Sequence, residues 1–160
     1  MEIRFYKEAD FSEAVKIFVE LSSYYLGENS SSETAVADNI KSNILGPDSG
    51  VKLILAFEGG TAIALATISI MYPAPKETGQ LFIKELFISK NHQSHGIGKK
   101  VMGFIARFAQ SKNCSRLDFT VDSDNQKAIS FYQSLGLLPL DTKLYFRAKK
   151  NEINRLSANM

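Results

Sequence analysis

The spacing of apolar side chains changes period several times along the chain, and each change marks an element. Residues 2–6 alternate, with Ile3 and Phe5 on one face, and predict a first strand. From 11 to 25 the positions Ala14, Ile17, Phe18 and Leu21 recur at helical spacing, and Asp10 followed three residues later by Glu13 predicts a boxed N-cap. The small polar run 27–32 is a loop. Val36, Ile40 and Ile44 fall four apart and predict a second helix over 33–45, ended by Gly46-Pro47-Asp48. Runs 51–57 and 61–71 flank Glu58-Gly59-Gly60 and read as a hairpin, after which Pro73-Ala74-Pro75 is expected to break the sheet. Residues 81–88 are apolar on both faces except at Lys84 and Glu85, as in a strand buried inside a sheet. Val101, Phe104, Ile105 and Phe108 give 99–112 one apolar stripe. Leu117, Phe119 and Val121 alternate over 116–121, and 126–135 forms a short helix with Gly136 just past its end. Leu144 to Phe146 centre a last strand, and the polar tail from Asn151 adds a short helix.

This order, without internal repeat or linker, predicts one mixed α/β or α+β domain over 1–160. Composition narrows the function classes. Nineteen basic against 17 acidic residues give a net charge of +2, too mild to argue for nucleic acid. The longest apolar run, 62–71, is interrupted by Thr67 and Ser69 and is too short to cross a membrane. The first ten residues carry Glu2, Arg4, Lys7, Glu8 and Asp10 and show no signal-peptide core. A single cysteine, Cys114, forms no intrachain disulfide and fits a reducing cytoplasm. His92 and His95, three apart with no third ligand, are not a zinc signature, so no metal is expected.

The chemistry concentrates in the stretch HQSHGIGKKVMGF, residues 92–104. A glycine loop between a strand and a helix offers unpaired amides at the positive end of the helix dipole, which suits a phosphate. Lys99 and Lys100 add charge. The spacing is not that of a Walker loop. A dinucleotide fingerprint would need glycine where Val101 stands, and Asp118, at the right distance for a ribose contact, falls within a strand rather than at its end. By itself Gly-x-Gly is a weak signal, and a plain turn is its default reading.

The surroundings decide more. The run LFIKELFISKNHQSHGIGKKVM, followed by VDSDNQKAISFYQSLGLLPL, resembles the GNAT (Gcn5-related) N-acetyltransferases. Their Gln/Arg-x-x-Gly-x-Gly/Ala loop is matched by Gln93, Ser94, His95, Gly96, Ile97 and Gly98, and their later motif by Asn125, Ala128, Phe131, Tyr132 and Gly136. The resemblance implies a mostly antiparallel twisted sheet flanked by helices, and acetyl-CoA as cofactor with its pyrophosphate on 93–100. It further implies a bulged central strand whose backbone at Leu86, Phe87 and Ile88 holds the pantetheine, with Asn125 and Ala128 also against the cofactor. Tyr132 would be the acid for the departing thiolate, because a phenol keeps its proton at neutral pH. Asn125 serves equally as a helix N-cap.

Glu85 would share a face with Leu81, Ile83 and Phe87 if alternation holds, and a carboxylate among apolar neighbours is a candidate base. In this family the segment between the first two helices often lines the acceptor site; here it carries Tyr24, Tyr25 and Glu28, able to embrace an amine through aromatic faces and a carboxylate. The nearest layouts are the spermidine/spermine and thialysine N-acetyltransferases, yet many of those carry adjacent acids where this chain has Lys84-Glu85. The expectation is therefore a cytoplasmic, homodimeric enzyme acetylating a primary amine of a small molecule of polyamine or amino-acid-like type. The alternatives are a protein lysine or N-terminal acetyltransferase and a non-catalytic acyl-CoA-binding module.

Overall fold

Five strands form one sheet in the order β1 (Glu2–Phe5), β2 (Lys52–Glu58), β3 (Thr61–Ala74), β4 (Thr78–Ile88), β5 (Cys114–Asp118). Neighbours are antiparallel from β1 to β4, and β4 pairs with β5 in parallel. The structure, a computed structural model, describes residues 1–158 and divides into two compact units, 1–120 and 121 onward. Among the described residues no helix is long and apolar enough to cross a membrane.

In the first unit α1 (Phe11–Leu26) buries Ala14, Ile17 and Leu21 against Leu53, Leu55, Leu65 and Phe87. A smaller cluster of Val15, Val36 and Ile40 joins α1 to α2 (Glu33–Asn39) and the π-helical turn Ile40–Ile44 that continues it. On the opposite face α3 (Ile97–Ser111) buries Val101, Ile105 and Ala109, while Phe104 and Phe108 meet the Phe5 ring edge-on at 5.4 and 4.8 Å. Ile54, Leu55, Ile63 and Leu65 are at most 1% exposed, each stabilising the fold by about 1.5–3 kcal/mol.

Four sequence expectations change here. The Asp10 carboxylate does not cap α1; it accepts from both terminal nitrogens of Arg4, with Nη2 at 2.8 Å, and from the Lys7 amide at 2.8 Å. The Arg4 guanidinium holds this carboxyl below the usual carboxylate range. Glu13 likewise leaves the cap and accepts from the Ala62 amide at 3.0 Å, tying α1 to the start of β3. The sheet also continues through Pro73 to Ala74: the β3–β4 register shifts between Met71 and Ala74, and a proline is tolerated where the ladder asks for no donor.

The third change concerns β4. Thr67 pairs with Glu85 and Ile68 with Ile83, leaving Lys84 as an extra residue. Paired residues face the same side of a sheet. Glu85 and Phe87 therefore face α1, while Leu81 and Ile83 face α3, so alternation does not hold and Glu85 does not share a face with all three. The irregularity lies at 83–85, just before Leu86, Phe87 and Ile88, which pair regularly with Ala66, Leu65 and Ala64.

In the second unit α4 (Gln126–Ser134) and α5 (Lys150–Ala158) form as expected. The strand expected over 144–146 does not: these residues pair with no strand, and Leu144, Tyr145 and Phe146 are 84%, 68% and 86% exposed. Alternation gives a segment the capacity to be a strand, but a strand forms only with a partner to share its hydrogen bonds.

Candidate active site

The loop after β4 begins with a 3-10 turn, Lys90–His92, whose first amide donates to Glu20 Oε1 at 2.8 Å and so fastens the loop to α1. Gln93 Nε2 donates to the Ile88 carbonyl at 3.0 Å, folding its side chain back over the end of β4. Two left-handed residues follow, Ser94 with φ 67° and Gly96 with φ 72°, and α3 starts at Ile97. Left-handed residues in series turn successive amides inward, and the first turn of α3 leaves its own amides without intrahelical acceptors. The result can receive an anion, with Lys99 and Lys100 in the same turn. His92 stands beside Glu58, 3.8 Å away, and its Nδ1 is buried without a partner; His95 is exposed.

The β4 edge beside this loop is open. The β4–β5 ladder runs only from Gly79 to Phe82, which pairs with Asp118. From Ile83 to Ile88 the side of β4 turned away from β3 has no strand partner among the described residues, so its main-chain donors and acceptors are available to an extended ligand. Asp118, expected within a strand over 116–121, is instead the last residue of β5, which ends three residues earlier, and its carboxylate accepts from Gln80 Nε2 at 2.7 Å.

On the α1 face, the Tyr25 hydroxyl donates to Glu85 Oε1 at 2.8 Å. The Tyr24 ring lies 5.3 Å from that of Tyr25 and 5.8 Å from that of Phe87. Sequence reasoning named Tyr24, Tyr25 and Glu85 separately, and the structure brings them together through residues 60 apart in the chain. Glu28 stands on the exposed turn Gly27–Asn29, with no contact to this cluster recorded. What the sequence did not reveal is an apolar pocket of about 230 Å³ adjoining Glu85, lined by Phe18, Leu21, Ile44, Val51 and Ile68, with Lys84 also at its wall. Its lining comes from five separate elements and loops, so no local pattern announces it. A larger cavity, about 420 Å³, lies at Arg4, Asp10 and Glu13, whose polar atoms are engaged in the contacts described above.

In the second unit, Asn125 Oδ1 accepts from the Ala128 amide at 3.0 Å, which makes it the N-cap of α4. Asp122 and Asp124 shape the preceding turn through their carbonyls, which accept from the Asn125 and Gln126 amides at 2.9 Å. Tyr132 is half-buried on α4, its ring 4.9 Å from that of Phe131. Gly136 follows with φ 79°, the left-handed residue that ends the helix. Cys114 opens β5, and burial pushes its thiol up from the ordinary range, which disfavours the thiolate. Among the described residues no group of three His, Cys, Asp or Glu could hold a metal ion.

The sequence model of the acetyltransferase (GNAT) family matches residues 15–137. A probable spermine N(1)-acetyltransferase of Bacillus subtilis subsp. natto is 28% identical over 86 residues, 53% of this chain and 56% of that protein. A thialysine N-epsilon-acetyltransferase of Sus scrofa is 29% identical over 35% of this chain and 33% of its own length. The chain thus spans about half, or less, of the curated relatives it matches. Among solved structures, an integron cassette protein from the mobile metagenome of V. cholerae is 38% identical with a TM-score of 0.93, covering 98% of this chain and 96% of that one. An aminoglycoside 6'-N-acetyltransferase from Acinetobacter haemolyticus shares the fold alone, at 20% identity and TM-score 0.69 over 93% of this chain and 99% of that one. The family match covers more than half of the chain and runs through both the left-handed loop ahead of α3 and the open side of β4, and the chain belongs to the acetyltransferase (GNAT) family.

Proposed function

We propose that this protein transfers an acetyl group from acetyl-CoA to a primary amine of a small molecule by direct attack. The observation that carries the reading is the succession of two backbone stretches: the left-handed Ser94 and Gly96 loop at the start of α3, and the β4 edge from Ile83 to Ile88 on its side away from β3. One suits a pyrophosphate and the other an extended amide chain, and acetyl-CoA has both. Amides of 93–98, with Lys99 and Lys100, would hold the pyrophosphate. Main-chain groups of Leu86, Phe87 and Ile88 would hold the pantetheine, with Asn125 and Ala128 as further cofactor contacts. Acetyl-CoA supplies an activated thioester, and Tyr132 gives its hydroxyl proton to the sulfur as it departs.

Glu85 takes the proton from the acceptor amine, directly or through water. A carboxylate has two oxygens, and the bond from Tyr25 to Oε1 orients the group while the other oxygen can accept. Glu85→Gln should therefore lower turnover by about 10²–10⁴-fold with acetyl-CoA affinity unchanged. Tyr25→Phe should cost less, because it loosens the carboxylate without removing it. Measured kcat for Glu85→Gln within a factor of about two of the parent would remove Glu85 from the reaction.

The whole reading is tested by following CoA release with a thiol reagent across polyamines, amino acids, aminoglycosides, apolar amines and a lysine peptide. Release that depends on a small amine supports it. Release with the peptide alone would make the protein a protein acetyltransferase. Acetyl-CoA binding without release would make it a non-catalytic acyl-CoA module. Function in the cytoplasm belongs to the proposal and is supported by the lone thiol.

A homodimer also belongs to it. Leu138, Leu140, Leu144 and Phe146 are 64–86% exposed along a segment with strand alternation, and β5 is the end strand of its sheet. Each copy thus carries both an open edge and an apolar segment fit to cover one, which is the reciprocity a two-fold dimer needs. The combined Leu144→Glu and Phe146→Glu variant should sediment as a monomer where the parent sediments as a dimer.

A further inference from the structure

Resting on the transfer reading, we infer that the acceptor is a compact monoamine with an apolar body, and that this chain discriminates against polycations. The pocket adjoining Glu85 has room for about eight waters' worth of liquid volume, at ~30 Å³ each, within its roughly 230 Å³. Its walls are Phe18 and Leu21 of α1, Ile44 of the π-helical turn, Val51 ahead of β2, and Ile68 of β3. Thr67 and Ser69 are the uncharged polar side chains in the lining. An alkyl or aryl group of four to eight heavy atoms fits such a space, and its transfer from water would favour binding.

Charge narrows the class further. The lining holds one acid, Glu85, and one base, Lys84. Glu85 can receive a single amine. A polyamine or an aminoglycoside brings further ammonium groups within a few bonds of the first, and these would meet either the apolar walls or Lys84. An ammonium group placed against apolar walls without a partner is strongly disfavoured, and one placed beside Lys84 is repelled. Lys84 is the extra residue of the β4 irregularity, exposed and adjacent in sequence to the carboxylate, so the same backbone feature that turns Glu85 toward α1 leaves a cation at the pocket wall. Excluding the wrong ligand by a like charge is how related sites separate related ligands.

The experiment compares kcat/KM for CoA release from acetyl-CoA with ethylamine, propylamine, butylamine, pentylamine, spermine and an aminoglycoside. The expected result is a rise of about fourfold for each added methylene from ethylamine to pentylamine, from the ~0.8 kcal/mol that burying a CH₂ contributes. Pentylamine should exceed spermine by at least about tenfold, and the exposed substitution Lys84→Glu should shift that ratio toward spermine by about tenfold. Spermine or the aminoglycoside ahead of pentylamine, or an alkyl series that stays flat, would overturn the acceptor class and leave the transfer reading standing. No amine-dependent release from any compound would overturn the transfer reading and the acceptor class together.

Discussion

Replacing Tyr132 by phenylalanine is expected to lower kcat by about 10²–10³-fold while the dissociation constant of acetyl-CoA stays within a factor of about two. The size follows from what the hydroxyl supplies. A positioned general acid contributes about 10²–10⁴-fold, and a thiolate is a tolerable leaving group, which puts the expectation in the lower part of that range. The retention of affinity follows from what the substitution keeps. Phenylalanine preserves the ring that lies 4.9 Å from Phe131, and α4 keeps its Asn125 cap, so the second unit should fold as before. Single-turnover release of CoA, measured beside calorimetric binding of acetyl-CoA, separates the two quantities. A kcat near the parent value would hand the proton to water or to another group. Loss of affinity in step with kcat would instead make Tyr132 a cofactor contact.

The elements that alternation and helical spacing predicted are local, and they were legible because each is bound to one buried face. Ala14, Ile17 and Leu21 are buried on α1 as their spacing required, and Val101 and Ile105 on α3. The glycine loop ahead of α3 was legible for a different reason: left-handed backbone at Gly96 leaves a residue-type signature. The misreadings share a cause. Asp10 and Glu13 have the spacing of a capping box, but Arg4 and the Ala62 amide outcompete the helix for their oxygens. Glu85 was assigned a face by counting in twos, and one extra residue in β4 moved it to the other. The segment around Leu144 has strand alternation and no strand partner. Each depends on a group distant in sequence. So does the pocket beside Glu85, assembled from single residues of elements that sequence spacing does not relate.

The two glycines of the loop should respond differently when substituted, because one holds a left-handed backbone and the other a helical one. Gly96→Val places a β-branched residue at φ 72°, a conformation that costs an L-residue about 1–2 kcal/mol or more. An added Cβ at Gly96 meets nothing within 4 Å, so the penalty is in the backbone and not in a clash with the protein. The chain can relieve it only by moving φ, which turns the inward amides away. Gly96→Val should therefore lower thermal stability and raise the acetyl-CoA dissociation constant by more than tenfold. Gly98 lies within the first turn of α3, where any residue adopts the backbone and alanine is favoured over glycine by about 0.5–1 kcal/mol. Gly98→Ala should leave the melting temperature unchanged or slightly raised, and the motif position it occupies, glycine or alanine, admits its methyl group. Its acetyl-CoA affinity should stay within a factor of about two of the parent, while acetyl-pantetheine, which lacks the pyrophosphate, should bind parent and Gly96→Val alike. If Gly98→Ala loses acetyl-CoA binding by more than tenfold, the family's loop pattern does not carry over to this turn of α3. If Gly96→Val binds acetyl-CoA normally, the loop is a turn and nothing more.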